Sequence, residues 1–70
     1  MTFGNAFQTQ RKSFGFTQKQ LAEYLKIHQS NISDWENNIA RPEYEHLIKL
    51  AQLYQITLEE LLGIEDILPL

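Results

Sequence analysis

No cysteine occurs anywhere in this chain of 70 residues. Neither a disulfide framework nor a thiolate zinc site can therefore hold it together, and nothing in the residue types asks for an oxidising compartment. Glycine and proline are scarce, with three and two copies, which excludes collagenous and flexible-linker sequences. No run approaches the roughly 20 apolar residues of a membrane-spanning helix, and residues 1–12 hold no apolar signal-peptide stretch. The expectation is a cytoplasmic protein with no membrane partner. Positive charge is also short: six Lys and Arg face nine Asp and Glu, for a net charge of -3. That balance counts against a nucleic-acid partner, because binding to phosphates ordinarily shows as a basic surface. Its distribution is uneven, however. Arg11, Lys12, Lys19, Lys26 and Arg41 precede Pro42, against Glu23, Asp34 and Glu36; beyond it Lys49 stands alone against Glu43, Glu45, Glu59, Glu60, Glu65 and Asp66.

The chain does have a globular composition, 43% hydrophobic and 21% charged. At this length one small core must serve, so tight helix packing or oligomerisation is expected to support it. Phe3, Phe7 and Phe14 share a face at helical spacing, with Ala6 beside them, and Gly15 suits a left-handed helix end. Thr17 and Gln20 fit a capping box for a second helix running to about Leu25, with Phe16 able to staple onto Leu21. Ile27 and Ile32 bracket the start of a third helix over about Gln29 to Asn37, and Trp35 lies on the same face. Asn37, Asn38 and Pro42 mark a loop. Tyr44, Leu47, Ile48, Ala51 and Tyr54 make the apolar stripe of a fourth helix. Thr57 and Glu60 repeat the capping box for a short fifth helix ending at Gly63, before an apolar tail at 64–70 containing Ile64, Ile67 and Leu68. No strand is indicated.

Two short helices joined by about three residues, the second amphipathic, form the arrangement that lets one helix enter a DNA major groove. From Thr17 to Pro42, TQKQLAEYLKIHQSNISDWENNIARP resembles the phage-repressor and Cro-type (XRE-like) helix-turn-helix family, and the resemblance continues through LIKLAQLYQITLEELLG. Gln18, Ala22, Ile27, Ile32, Trp35, Glu36 and Asn37 stand where that family's pattern places them. The resemblance implies an all-α, compact five-helix lambda-repressor-like fold. The DNA-binding domain would span residues 1–63, with its helix-turn-helix at about 17–37.

It also implies a function: a sequence-specific transcriptional regulator, a phage or bacterial repressor or Cro-like protein, bound to a double-stranded operator. With Ile32 and Trp35 inward, the opposite face of the third helix presents Gln29, Ser30, Ser33 and Asp34, whose side chains suit base edges: glutamine for adenine, serine for several bases, aspartate for the cytosine amino group. The family places Gln29, Ser30 and Asp34 at base-reading positions, and Gln18 and Asn37 at phosphate-contacting ones. Asn31 is a neighbouring contact, and Arg41 and Lys19 are further phosphate partners. Arg11 and Glu36 match positions that in relatives pair across helices one and three. Four positions depart from the pattern: Lys26 and Asn38 replace glycines, His28 replaces a small hydroxyl cap so that the cap is either weaker or made by imidazole, and Asp34 sets a carboxylate among phosphates.

An enzyme is not expected. His28 and His46 have no metal-ligand spacing, no nucleophile and base are paired, and no cofactor is implied. The competing reading is a protein-interaction module on the same fold, a small phage antirepressor that binds a partner repressor, motivated by the acidic second half and the apolar tail. As a DNA binder the chain is expected to form a homodimer through helix five and the tail, especially Leu58, Ile64, Ile67 and Leu68, unless the tail covers its own core.

Overall fold

The computed structural model describes residues 2–62. Five helices follow one another: α1 (Phe3–Ser13), α2 (Gln18–Leu25), α3 (Gln29–Glu36), α4 (Tyr44–Tyr54) and α5 (Leu58–Leu62). No strand occurs among the described residues. The expected order, number and class of elements are those observed. Gly63 and the tail at 64–70, to which a helix stop and a dimer contact were assigned, lie outside the described residues.

Local chemistry accounts for the helix starts. Thr17 Oγ1 accepts from the Gln20 backbone N–H at 3.0 Å while Gln20 Oε1 accepts from Thr17 N at 2.9 Å, so two orphan donors of α2 are satisfied reciprocally. Thr57 and Glu60 repeat the pattern at α5, at 3.1 and 3.4 Å. Thr2 caps α1 by accepting from Asn5 N. A second cap reaches α1 from across the fold: Asn38 Oδ1 accepts from Gly4 N at 2.9 Å, and its Nδ2 donates to Thr2 Oγ1 at 3.1 Å.

One device ends four of the helices. Gly15, Lys26, Asn38 and Gln55 all have φ between 57° and 82°. Around each, the left-handed residue and its successor donate backbone hydrogen bonds back to the last turn, as in Phe16 N to Arg11 O and Ile56 N to Ala51 O. Only one of the four is glycine, so the other three carry the steric cost of a side chain in this region.

The core collects Phe7, Leu21, Ala22, Leu25, Ile32, Trp35, Leu50, Ala51, Tyr54 and Leu61. Helix α3 packs on α2 and α1, and α5 packs on α4 and α1, an arrangement tied by the Gln10 amide donating to the Glu60 carbonyl at 2.7 Å. Phe7 meets Trp35 edge to face at 5.7 Å between centroids, a favoured geometry for aromatic pairs. Two expectations need correction. Tyr44 is 66% exposed, whereas Leu50 is fully buried: the buried arc of α4 runs through Leu47, Leu50, Ala51 and Tyr54, and Tyr44 sits in the first turn, beyond the elements packed on that arc. Phe14 is not on the α1 face. It follows the last helical residue, is 43% exposed and stacks on Tyr54 at 4.5 Å, because the turn through Gly15 swings the chain out of the helix one residue later.

The Tyr54 hydroxyl is buried with no hydrogen-bond partner among the described residues. Burial pushes its pKa up from 10.0 to about 12; the nearby Arg11 charge pulls the other way and Glu36 adds to the rise. The neutral phenol is thus favoured by folding. Its contribution is fully present below pH 10 and is lost as the pH climbs through about 12. Tyr54→Phe is expected to raise stability by about 1 kcal/mol at neutral pH, since it removes an unpaired buried polar group, and to flatten the alkaline fall in stability. Denaturant midpoints measured from pH 7 to 12 check both; a loss at neutral pH would mean that the hydroxyl has a partner.

Candidate nucleic-acid interface

The turn between α2 and α3 is three residues long. Lys26 holds it at φ 60° and ψ 45°, and Ile27 and His28 complete it. His28 is the extended residue before α3, and its imidazole makes no capping bond. Of the two alternatives for that position, the weaker cap is the one observed: the backbone carbonyl of His28 still accepts from Asn31 N at 3.0 Å, but no side chain among the described residues satisfies the first donors of α3.

Helix α3 buries Ile32, Trp35 and Glu36. At about 100° per residue, the opposite face is centred between Ser30 and Asp34, with Asn37 beside them and Gln29 and Ser33 on one flank. Gln29, Ser30 and Asn37 are exposed; Asn31, Ser33 and Asp34 are half-buried. The expected inward and outward faces are therefore the observed ones.

Glu36 anchors a chain of contacts that ends at Gln29. Arg11 Nε reaches Glu36 Oε2 at 2.5 Å and its Nη2 reaches Oε1 at 3.2 Å, while Nη1 donates to the Phe16 carbonyl at 2.8 Å. Side-chain exposures of 9% and 3% make this a buried pair, the only salt bridge among the described residues. The same Oε1 accepts from Gln18 Nε2 at 3.0 Å, and Gln18 Oε1 accepts from Gln29 Nε2 at 3.4 Å. A carboxylate can only accept. Gln18 must therefore turn its nitrogen to Glu36 and its oxygen to Gln29, which leaves Gln18 with a second N–H, and Gln29 with one N–H and its carbonyl, for an outside partner.

The remaining expected site residues divide. Asn37 Nδ2 donates to the Ser33 carbonyl at 2.9 Å and meets Ser33 Oγ at 3.3 Å, which joins these two at the end of α3. Ser30, Asn31 and Asp34 side chains make no hydrogen bond to other described residues. Arg41 stays exposed while its guanidinium lies 5.0 Å from the centre of the Phe3 ring, a cation–π contact at the start of α1. Two positions that frame the site went unread in the sequence, Gly4 and the side chain of Asn38. A glycine inside a helical pattern signals a close backbone approach, and here a Cβ on Gly4 would collide with the Glu36 carbonyl and lie 2.9 Å from that of Trp35.

A capped helix, a three-residue left-handed turn and a second helix with one locked and one polar face define a helix-turn-helix domain. The helix-turn-helix family model matches residues 7–61, and the chain belongs to that family, the XRE-like group that includes phage repressors. It is 34% identical over 67 residues to the HTH-type transcriptional regulator ImmR of Bacillus subtilis, covering 96% of this chain and 53% of the relative. Among solved structures, it superposes on a transcriptional regulator from Listeria innocua with a TM-score of 0.82 and 26% identity, covering 89% of this chain and 58% of the other. It superposes on the master regulator for biofilm formation SinR, solved in complex with DNA, with a TM-score of 0.75 and 26% identity, covering 87% of this chain and 98% of that one. The chain thus spans about half the length of ImmR. No helix among the described residues is long and apolar enough to cross a membrane.

Proposed function

We propose that this chain is a sequence-specific DNA-binding domain of a transcriptional regulator, which lays α3 in the major groove of an operator. The observation that carries this reading is the division of α3: Ile32, Trp35 and Glu36 are held inside while a row of hydroxyls, amides and one carboxylate faces out. Gln29, Ser30, Asn31, Ser33 and Asp34 meet base edges. Gln18, through its second N–H, contacts phosphate together with Asn37 and Arg41, and such contacts set register without reading sequence. Membership of a family whose relatives are named as regulators supports DNA binding over the partner-repressor reading. It also supports a regulatory role over an enzymatic one. The DNA-binding unit occupies residues 1–63, works in the cytoplasm, and acts as a homodimer on half-sites about 34 Å apart. Leu58 and the tail at 64–70 supply the contact between copies.

Binding to an operator and to random duplex across a salt series tests this. Few cations are at hand, so the expected result is a shallow salt slope, near -0.9 for each phosphate neutralised, with a preference for operator of at least about a thousandfold. Equal, weak binding to both duplexes at every salt concentration would overturn it.

A further inference from the structure

Helix α3 carries no lysine or arginine; its sequence is QSNISDWE. The commonest way of reading guanine, a bidentate contact from a cationic side chain to O6 and N7, is therefore closed to it. Asp34 is the only charged side chain on the outward face. It lies at the centre of that face, half-buried, and it has neither an ion-pair nor a hydrogen-bond partner among the described residues. Its backbone carbonyl, by contrast, accepts from Ile39 N at 2.8 Å and Ala40 N at 3.4 Å.

An ionised carboxylate can accept hydrogen bonds and cannot donate them. The major-groove edges of guanine and thymine offer it no donor: guanine shows N7 and O6, thymine O4 and a methyl group. Adenine offers N6–H but sets the acceptor N7 beside it, so that one carboxylate oxygen is attracted while the other is repelled. Cytosine offers N4–H₂ with no acceptor next to it on that edge. Resting on the DNA-binding reading above, we propose that Asp34 is a specificity-determining residue, and that it restricts the base pair beneath it to G·C presented by its cytosine edge. The other outward side chains, hydroxyls and amides, both donate and accept and so tolerate more bases; Asp34 cannot adapt. Its repulsion of phosphate is the same on every duplex and so lowers affinity without changing the choice of sequence; only the contact with the base discriminates.

The experiment selects preferred sites from a randomised duplex pool with the wild-type chain, Asp34→Asn and Asp34→Ala, each first checked for an unchanged melting curve. The wild-type chain is expected to return one cytosine per half-site, with a loss of roughly 10- to 100-fold on changing it to guanine or thymine. Asp34→Asn is expected to move that single position toward adenine, whose N6 and N7 match an amide, and Asp34→Ala to leave it open. All other positions should keep their preferences. If both variants bind every duplex more tightly by the same factor and return the wild-type site, this inference falls while the DNA-binding reading stands. A wild-type chain that returns no site above random sequence would take down both.

Discussion

Arg11→Met is expected to destabilise the domain by about 3–5 kcal/mol, the usual cost of leaving one member of a buried ion pair without its partner. For a small domain this approaches the whole folding free energy, which starts at about 5 kcal/mol. The size of the effect follows from what Arg11 touches. Its guanidinium bonds both oxygens of Glu36 and the Phe16 carbonyl, so its removal strands a carboxylate whose side chain is 3% exposed, with the Gln18 amide as its one remaining donor among the described residues. The double variant Arg11→Met/Glu36→Leu should recover most of the loss, because an apolar pair of similar volume needs no desolvation of charge. Denaturant titration of the two single variants and the double closes the cycle. A loss below about 1 kcal/mol for Arg11→Met would show that water reaches Glu36 and that the pair behaves as a surface one. The double variant also separates folding from recognition: it lacks the carboxylate that fixes the polarity of Gln18, so it should fold and yet present Gln18 and Gln29 in mixed orientations.

Gly4→Ala reverses a rule. Within a helix, alanine is ordinarily favoured over glycine by about 0.5–1 kcal/mol. Here the added methyl would run into the carbonyls of Trp35 and Glu36, which are backbone atoms and cannot rotate away. Either α1 lifts from α3 or the end of α3 shifts, and both loosen the Asn38 cap on Gly4 N. The expected outcome is a net loss of about 1–3 kcal/mol, the range for overpacking a tight contact, read as a lower denaturant midpoint with an unchanged slope. A midpoint equal to or above that of the wild-type chain would mean that the two helices are not in contact at Gly4.

The parts of this architecture that could be read in advance are those written in local chemistry. The capping boxes at Thr17 and Thr57, the left-handed corners at Gly15 and Asn38, and the inward set Ile32 and Trp35 each depend on residues within a few positions of one another, whereas the corner at Lys26 came only through the family resemblance. Phe14 was misplaced because an apolar residue at helical spacing looks the same whether it ends the helix or follows it. Tyr44 shares its face with buried Ala51 and is exposed because it lies in the first turn of α4, and Leu50 adds a flank to the stripe whose width spacing alone does not bound. Gly4 and Asn38 were out of reach for a different reason: they meet across 34 positions of sequence, and neither residue type announces its partner. Within the candidate site, the outward face of α3 was legible as soon as Trp35 was set inside. The dependence of Gln18 on Glu36 was not, since it arises from three helices at once. Gln55, the fourth left-handed corner, gave no local signal, because glutamine has no special tolerance for that conformation.

Those corners leave the fold with slack that its sequence does not use. At Lys26, Asn38 and Gln55 a side chain occupies backbone territory that glycine enters without penalty, so each is held in shape by its surroundings more than by its own preference. Asn38 gives a return by gripping the start of α1; Lys26 and Gln55 show no such contact. A lineage carrying this domain could therefore absorb damage elsewhere by a single change at either corner, with the groove-facing surface left as it is.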